Sequence, residues 1–240
     1  MKKQHDLTGK DETIMIPGMT EIRGFHHYFA TAPNSINGGR VIRVKQVHGN
    51  NILIVGQDIK NRDLFNSSGI SNNGYDAIIT DQSGIVLEVR TADCLPILIV
   101  DPKVRIIAAI HAGWRGSLLN LAEKVVMKME GLFGTDPEDL CVGFGPSIGP
   151  CCYEVGDDIL DPVRERYQDC MDIISNREDG KGMFNLEGFN RKELLALGIR
   201  EERIFSVNIC TSCHPIRLPS FRRDGRVEAS IYAGIMIETV

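Results

Sequence analysis

Four short runs crowded with Val and Ile, at residues 76–80, 85–89, 96–100 and 105–110, constrain the fold of this chain more than any other feature. β-Branched side chains are stiff at χ1 and suit a pleated surface, and runs of this length are too short for buried helices. The last two flank Asp101-Pro102-Lys103, a compact turn, and read as a hairpin. Further strand-like stretches lie at 40–47, 51–55, 140–144, 203–207 and 229–237. The polar, turn-rich stretch at 66–74 reads as a surface loop.

Helical periodicity is clearest over 117–129, where Leu118, Leu121, Val125 and Met129 share a face. Ser117 is its expected N-cap and Gly131 its end. Two more helices are expected at 157–168 and 185–197, the latter closed by Gly198. Strands outnumber helices without a strict βαβ rhythm or an internal repeat. That pattern predicts an α+β fold, a mixed sheet covered by helices, in one domain over residues 20–240 behind a flexible tail at 1–19.

Composition narrows the partners. A net charge of −5 with both signs interspersed argues against nucleic acid, which needs clustered Lys and Arg. The first residues lack the apolar core of a signal peptide, and no apolar run approaches membrane-span length. Seven scattered cysteines in a chain of 240 residues read as reduced thiols, and the expected location is cytoplasmic.

The chemistry is expected at three strand ends, QVHGN, TADCLP and IHAGWRG, the first and last of which carry glycines. His48, Cys94 and His111 are a donor set that suits zinc, with a fourth position left for water or substrate. The ordinary alternative is a satisfied polar histidine and a small core cysteine, and spacing alone does not separate the two. Gly113 through Ser117 runs from a strand into a helix beside Arg115, which reads either as an anion site or as a plain tight turn. Gly143–Gly149 resembles a phosphate-cradling loop only distantly, lacking the Lys and Ser/Thr of a P-loop. Cys210 and Cys213 form a C-x₂-C pair, but adjacent Cys151 and Cys152 do not make a usual second half. These thiols read as neighbours of the pocket rather than a second metal site. Ser220, Arg222 and Arg223 read as a substrate clamp or a solvated face.

The motifs VKQVHGN, TADCLPILIVDP, AAIHAGWRG, GPSIGPCCYEVG and CTSCH…SFRRDG follow one another as in the YfiH/YlmD-like family, which the chain resembles over roughly residues 20–237. Members have been labelled polyphenol oxidase or laccase-domain proteins and, more recently, purine nucleoside phosphorylases. Leu218-Pro219 stand where members usually carry aromatic residues. The resemblance implies an αβ sandwich with a zinc pocket whose ligands fall on His48, Cys94 and His111. It also implies phosphorolysis of adenosine, inosine and methylthioadenosine, with deamination of adenosine.

For that chemistry, Arg43, Lys45, Gln46, Gly113, Arg115, Ser220 and Arg222 are candidates to hold substrate or phosphate. Asp93 is the candidate acid/base, or else a structural residue bonding its own turn. Zinc is the expected ion and copper an alternative. A multicopper oxidase needs a histidine-rich cluster, and only six histidines are present (5, 26, 27, 48, 111 and 214), too few once two are assigned to this site. Two other classes use the same residues: a Cys94–His111 thiol hydrolase or amidase acting on peptidoglycan precursors, and a non-catalytic metal or nucleoside sensor. The expected partners are purine nucleosides and phosphate, with the protein a monomer or small homo-oligomer.

Overall fold

In the computed structural model the residues described are 13–33, 36, 38–56, 70–177, 180–226 and 228–239. In chain order the elements are α1 (Pro17–Thr20), β1 (Phe25–Ala30), β2 (Arg40–Lys45), β3 (Ile52–Val55), β4 (Ile70–Gly74), β5 (Ala77–Thr80), β6 (Ile85–Thr91), β7 (Leu95–Asp101) and β8 (Ile106–Ala112). There follow α2 (Trp114–Leu118), α3 (Leu121–Phe133), β9 (Cys141–Phe144), β10 (Glu154–Val155), α4 (Asp157–Arg166), β11 (Ile174–Asn176) and β12 (Gly182–Phe184). The last are α5 (Leu186–Ala196), β13 (Ile204–Ser206), α6 (Phe221–Asp224) and β14 (Ile231–Ile237).

The Val/Ile-rich runs are strands buried on both faces. Successive side chains of a strand point to opposite faces, and in β7 and β8 both sets are largely apolar. Leu95, Ile97 and Ile99 of β7 pack beneath the helices with Ile106, Ala108 and Ile110 of β8, against Val125, Met129 and Phe189. The alternate residues Leu98, Val100, Ile107 and Ala109 face the other way, into a second core with Ile42, Leu87, Val89, Ala233 and Ile235. Such strands read as continuous apolar runs because neither face meets water.

Two large sheets follow from this. A six-stranded sheet, ordered β13-β9-β7-β8-β5-β3, forms the middle layer, with α3 and α5 on one face. A five-stranded sheet, ordered β1-β14-β6-β2-β4, covers its other face. A small sheet, β10-β12-β11, is not hydrogen-bonded to either and turns Val155, Ile174 and Phe184 into the core beneath the helices. Both large sheets mix parallel and antiparallel pairs: in one, β2 runs parallel to β6 and β14 antiparallel to it, and in the other β3 runs parallel to β5 and β7 antiparallel to β8. This is the expected α+β sandwich of mixed sheets and helices.

The β7–β8 hairpin forms as expected, with Leu95 opposite Ala112 and Pro96 opposite His111. Asp101 Oδ1 accepts from the N–H groups of Lys103 and Val104 at 2.8 and 3.1 Å, an Asx-type closure of the turn.

Three expectations need correction. The helix at 117–129 is two helices, because Asn120 adopts φ 61°, the left-handed region that Asn tolerates better than most residues. Ser117 lies inside α2 rather than capping it, Gly113 is the N-cap, and α3 passes Gly131 to end at Gly134. The loop expected at 66–74 contains β4 at its end, which pairs in parallel with β2, and 66–69 lie outside the described residues. Of the expected tail at 1–19, residues 1–12 lie outside the described residues, but Ile16 and Met19 are buried in the inter-sheet core.

Candidate active site

The register of the middle sheet assembles the site. Cys94 immediately precedes β7 and His111 is near the end of β8, so the open end of the hairpin brings thiol and imidazole together. Ala77 pairs with Ile110 on the other side of β8, which sets Asp76 beside His111. Parallel pairing of β3 with β5 draws in the turn that carries His48.

Asp76 is fully buried and binds both histidine-bearing segments. Its Oδ1 accepts from His111 Nδ1 at 2.8 Å and from the His48 N–H at 2.9 Å. Its Oδ2 accepts from the Gly49 N–H at 2.7 Å, and its backbone carbonyl accepts from the His111 N–H at 2.7 Å. His48 itself has φ 58°, a conformation costing about 1–2 kcal/mol for a side-chain-bearing residue and offset here by the carboxylate that gathers these N–H groups. Sequence reasoning missed Asp76. The available signal was an acidic residue at the mouth of an otherwise apolar run, which must be partnered if buried.

With Nδ1 of His111 engaged by Asp76, Nε2 is the nitrogen left for Cys94. Burial pushes the Cys94 thiol up, but hydrogen bonds and charge from His111 and His48 outweigh it and bring it down to about 6. Burial pulls His111 down, and the bonds to Asp76 and Cys94 outweigh that, raising it to about 9. The imidazole centroids of His48 and His111 are 4.7 Å apart, and the three donor atoms lie within 4.8 Å of one another. A Cβ on Gly113 would come within 3.0 Å of Cys94 Sγ and 3.3 Å of His48 Cδ2, so glycine keeps the space beside the donors open. Two imidazoles and a low-lying thiol facing one space fit a zinc-class ion.

These residues open on a cavity of about 510 Å³, within the range of small-molecule sites. Gln46, Asp93, Arg115 and Arg222 also line it, together with Trp114, Tyr153 and Phe221. Gln46 is committed to the backbone of Arg90, donating to its carbonyl at 2.7 Å and accepting from its N–H at 2.8 Å. Asp93, at φ 90°, accepts from the Thr211 hydroxyl through Oδ1 and from the Arg222 N–H at 2.6 Å through Oδ2. Both oxygens hold loops in place, which is the structural alternative to an acid/base role. Arg115 is exposed at the cavity, its guanidinium 4.4 Å from the Trp114 ring centroid. Arg222 lies 5.2 Å from the Tyr153 ring centroid and donates to the Glu154 carbonyl at 2.6 Å.

Other expected contacts do not reach the cavity. Arg43 pairs with buried Glu88, which also accepts from the Tyr28 hydroxyl. Lys45 is exposed on β2 and is not among the lining residues. Ser220 is buried, and its hydroxyl caps α6 by accepting from the Arg223 N–H at 3.2 Å. The glycine-rich loop is built for packing: a Cβ on Gly143 would collide with Met19, and one on Gly145 with Phe29. Leu218 turns into the inter-sheet core, while Phe221 supplies a ring at the cavity from the same segment.

The family described as multi-copper polyphenol oxidoreductase laccase matches residues 28–238. The chain belongs to that family. Within this laccase-like family it is 34% identical over 234 residues to a purine nucleoside phosphorylase of Bacteroides thetaiotaomicron, covering 95% of this chain and 79% of the relative. It is 31% identical over 196 residues to adenosine deaminase RL5 of an unknown prokaryotic organism, covering 81% and 74%. The crystal structure of YlmD from Geobacillus stearothermophilus shares the fold, with a TM-score of 0.83 at 24% identity over 98% of both chains. Among the described residues, no helix is long and apolar enough to cross a membrane.

Proposed function

We propose that this laccase-like protein is a zinc-dependent purine nucleoside phosphorylase acting on adenosine, inosine and methylthioadenosine, with adenosine deaminase activity. The observation that carries this reading is the convergence of His48, Cys94 and His111 on one face of a nucleoside-sized cavity that Arg115 and Arg222 also line. Relatives named for both activities support it.

His48, Cys94 and His111 would hold the ion, which when bound supplies Lewis-acid polarisation and a water of lowered pKa. Asp76 fixes the His111 tautomer, so that Nε2 faces the site. Phosphorolysis also needs phosphate held beside C1′ of the ribose as oxocarbenium character develops there. Arg115 would take that phosphate, assisted by backbone N–H groups at the start of α2. With only five residues, α2 adds little dipole, so the guanidinium carries most of the attraction. Trp114, Tyr153 and Phe221 offer aromatic faces to a purine. Asp93 acts by positioning, since it fastens Arg222 and Thr211.

The test is Cys94→Ala, assayed for bound zinc and for phosphate-dependent adenine release from adenosine. Loss of both is expected; survival of both would overturn the reading.

One observation favours a second reading. Cys94, His111 and Asp76 stand in the order of a thiol–imidazole–carboxylate triad, which fits a thiol hydrolase or amidase. A chelator abolishes the metal-dependent activity but spares such a hydrolase, whereas a thiol alkylator stops both.

A further inference from the structure

The fold brings together four cysteines that lie far apart in sequence. Cys151 and Cys152 follow β9 in one loop, and Cys210 and Cys213 follow β13 in another. We propose that these four thiolates form a second metal site, a closed centre for one zinc-class ion that fastens the two loops together.

Distances support a shared ion. Tetrahedral sulfur ligands about 2.3 Å from zinc stand about 3.8 Å from one another. Here Cys213 Sγ lies 3.6 Å from Cys151 Sγ and 3.4 Å from Cys152 Sγ, and all four sulfurs fall within 4.8 Å of one another.

The surroundings are built for sulfur. The Gly149 N–H donates to Cys210 Sγ at 3.2 Å, and the Cys213 N–H also points to that sulfur, the backbone support that orients metal-bound thiolates. A Cβ on Gly149 would lie 3.3 Å from Cys151 Sγ and 3.2 Å from Cys210 Cβ, so glycine permits the close approach of the loops. The same loops are joined by backbone bonds, Ser147 N–H to the Ile209 carbonyl at 3.2 Å and Thr211 N–H to the Ser147 carbonyl at 3.0 Å. The ligands are therefore held near one another before any ion arrives, which lowers the ordering cost of binding.

Four protein ligands leave no open position, so this centre is structural. Its position gives it a function. One loop carries Ile148 and Tyr153 to the cavity, and the other carries Thr211, which holds Asp93. Locking the loops fixes that wall of the cavity, independently of whether His48, Cys94 and His111 bind a metal.

Cobalt loading of the reduced full-length protein tests this, with stoichiometry and sulfur-to-cobalt charge-transfer absorption as readouts. Cys94→Ser should retain one equivalent with the intense absorption of a four-thiolate tetrahedral site. In the same variant, excess zinc should protect four thiols from alkylation. Cys210→Ser/Cys213→Ser should lose that equivalent and its absorption. A Cys94→Ser protein that binds no cobalt, or whose four thiols alkylate equally fast with and without zinc, overturns the proposal. Because those readouts use Cys94→Ser, they stand even if the double variant does not fold.

Discussion

The carboxylate of Asp76 accepts from Nδ1 of His111 at 2.8 Å while the same side chain binds the N–H groups of His48 and Gly49. One buried acid thus sets the orientation of one candidate ligand and the backbone of another. Asp76→Asn leaves one oxygen where two accepted, and its amide N–H₂ cannot replace the lost acceptor. Zinc affinity should fall about 10- to 100-fold, as for other losses of ligand-orienting carboxylates. Competition with a chromophoric chelator measures it, and an unchanged affinity would show that His111 is oriented by something else.

Gly113→Ala places a methyl group within 3.0 Å of Cys94 Sγ. The sulfur or the turn must give way slightly, and reacting geometries tolerate little displacement. Turnover of adenosine should fall roughly tenfold or more while thermal stability changes little. Steady-state kinetics and a melting curve on the same sample separate the two effects.

Arg115 and Arg43 should behave differently, although the sequence offers both as candidates for phosphate. Arg115→Ala removes the exposed guanidinium at the cavity and should raise the KM for phosphate by roughly 10- to 100-fold, the worth of a charge-assisted hydrogen bond. Arg43→Ala leaves Glu88 buried without its cation and should cost about 3 kcal/mol of stability with the phosphate KM unchanged. The reverse pattern would move the phosphate site to β2.

His27 predicts a pH dependence of stability. Burial lowers it first, with help from the neighbouring charge of His26, from 6.5 to about 4. Its Nε2 accepts from the Ile16 N–H at 2.8 Å, which requires the neutral ring. A depressed histidine contributes stability above its unfolded value and loses it as the ring protonates. Stability should therefore decline between pH 6.5 and about 4, by about 3 kcal/mol. His27→Gln keeps an acceptor for Ile16 and should flatten that part of the profile; an equally steep decline would assign it to other groups.

The candidate metal ligands and most of the strands were legible in the sequence, because strand runs and reactive residues at their ends are local signals. The hairpin of β7 and β8 needed only its two apolar runs and Asp101. The break at Asn120 was not legible, since the apolar period of Leu118, Leu121, Val125 and Met129 continues across it. Nor was the true partner of Arg43, because proximity in sequence to His48 says nothing of the side to which a strand residue points, and here that side holds Glu88.

The residues alone supply an inventory: short doubly apolar strands, a mixed α+β fold, and His48, Cys94 and His111 at strand ends. Which of those groups meet depends on how the strands pair in three dimensions. Asp76 reaches His111 through the register of β5 on β8, and Cys151 and Cys152 reach Cys210 and Cys213 because parallel pairing sets β13 beside β9. Both encounters join residues far apart in the chain, and such contacts are fixed by sheet register and burial rather than by any local pattern of residues.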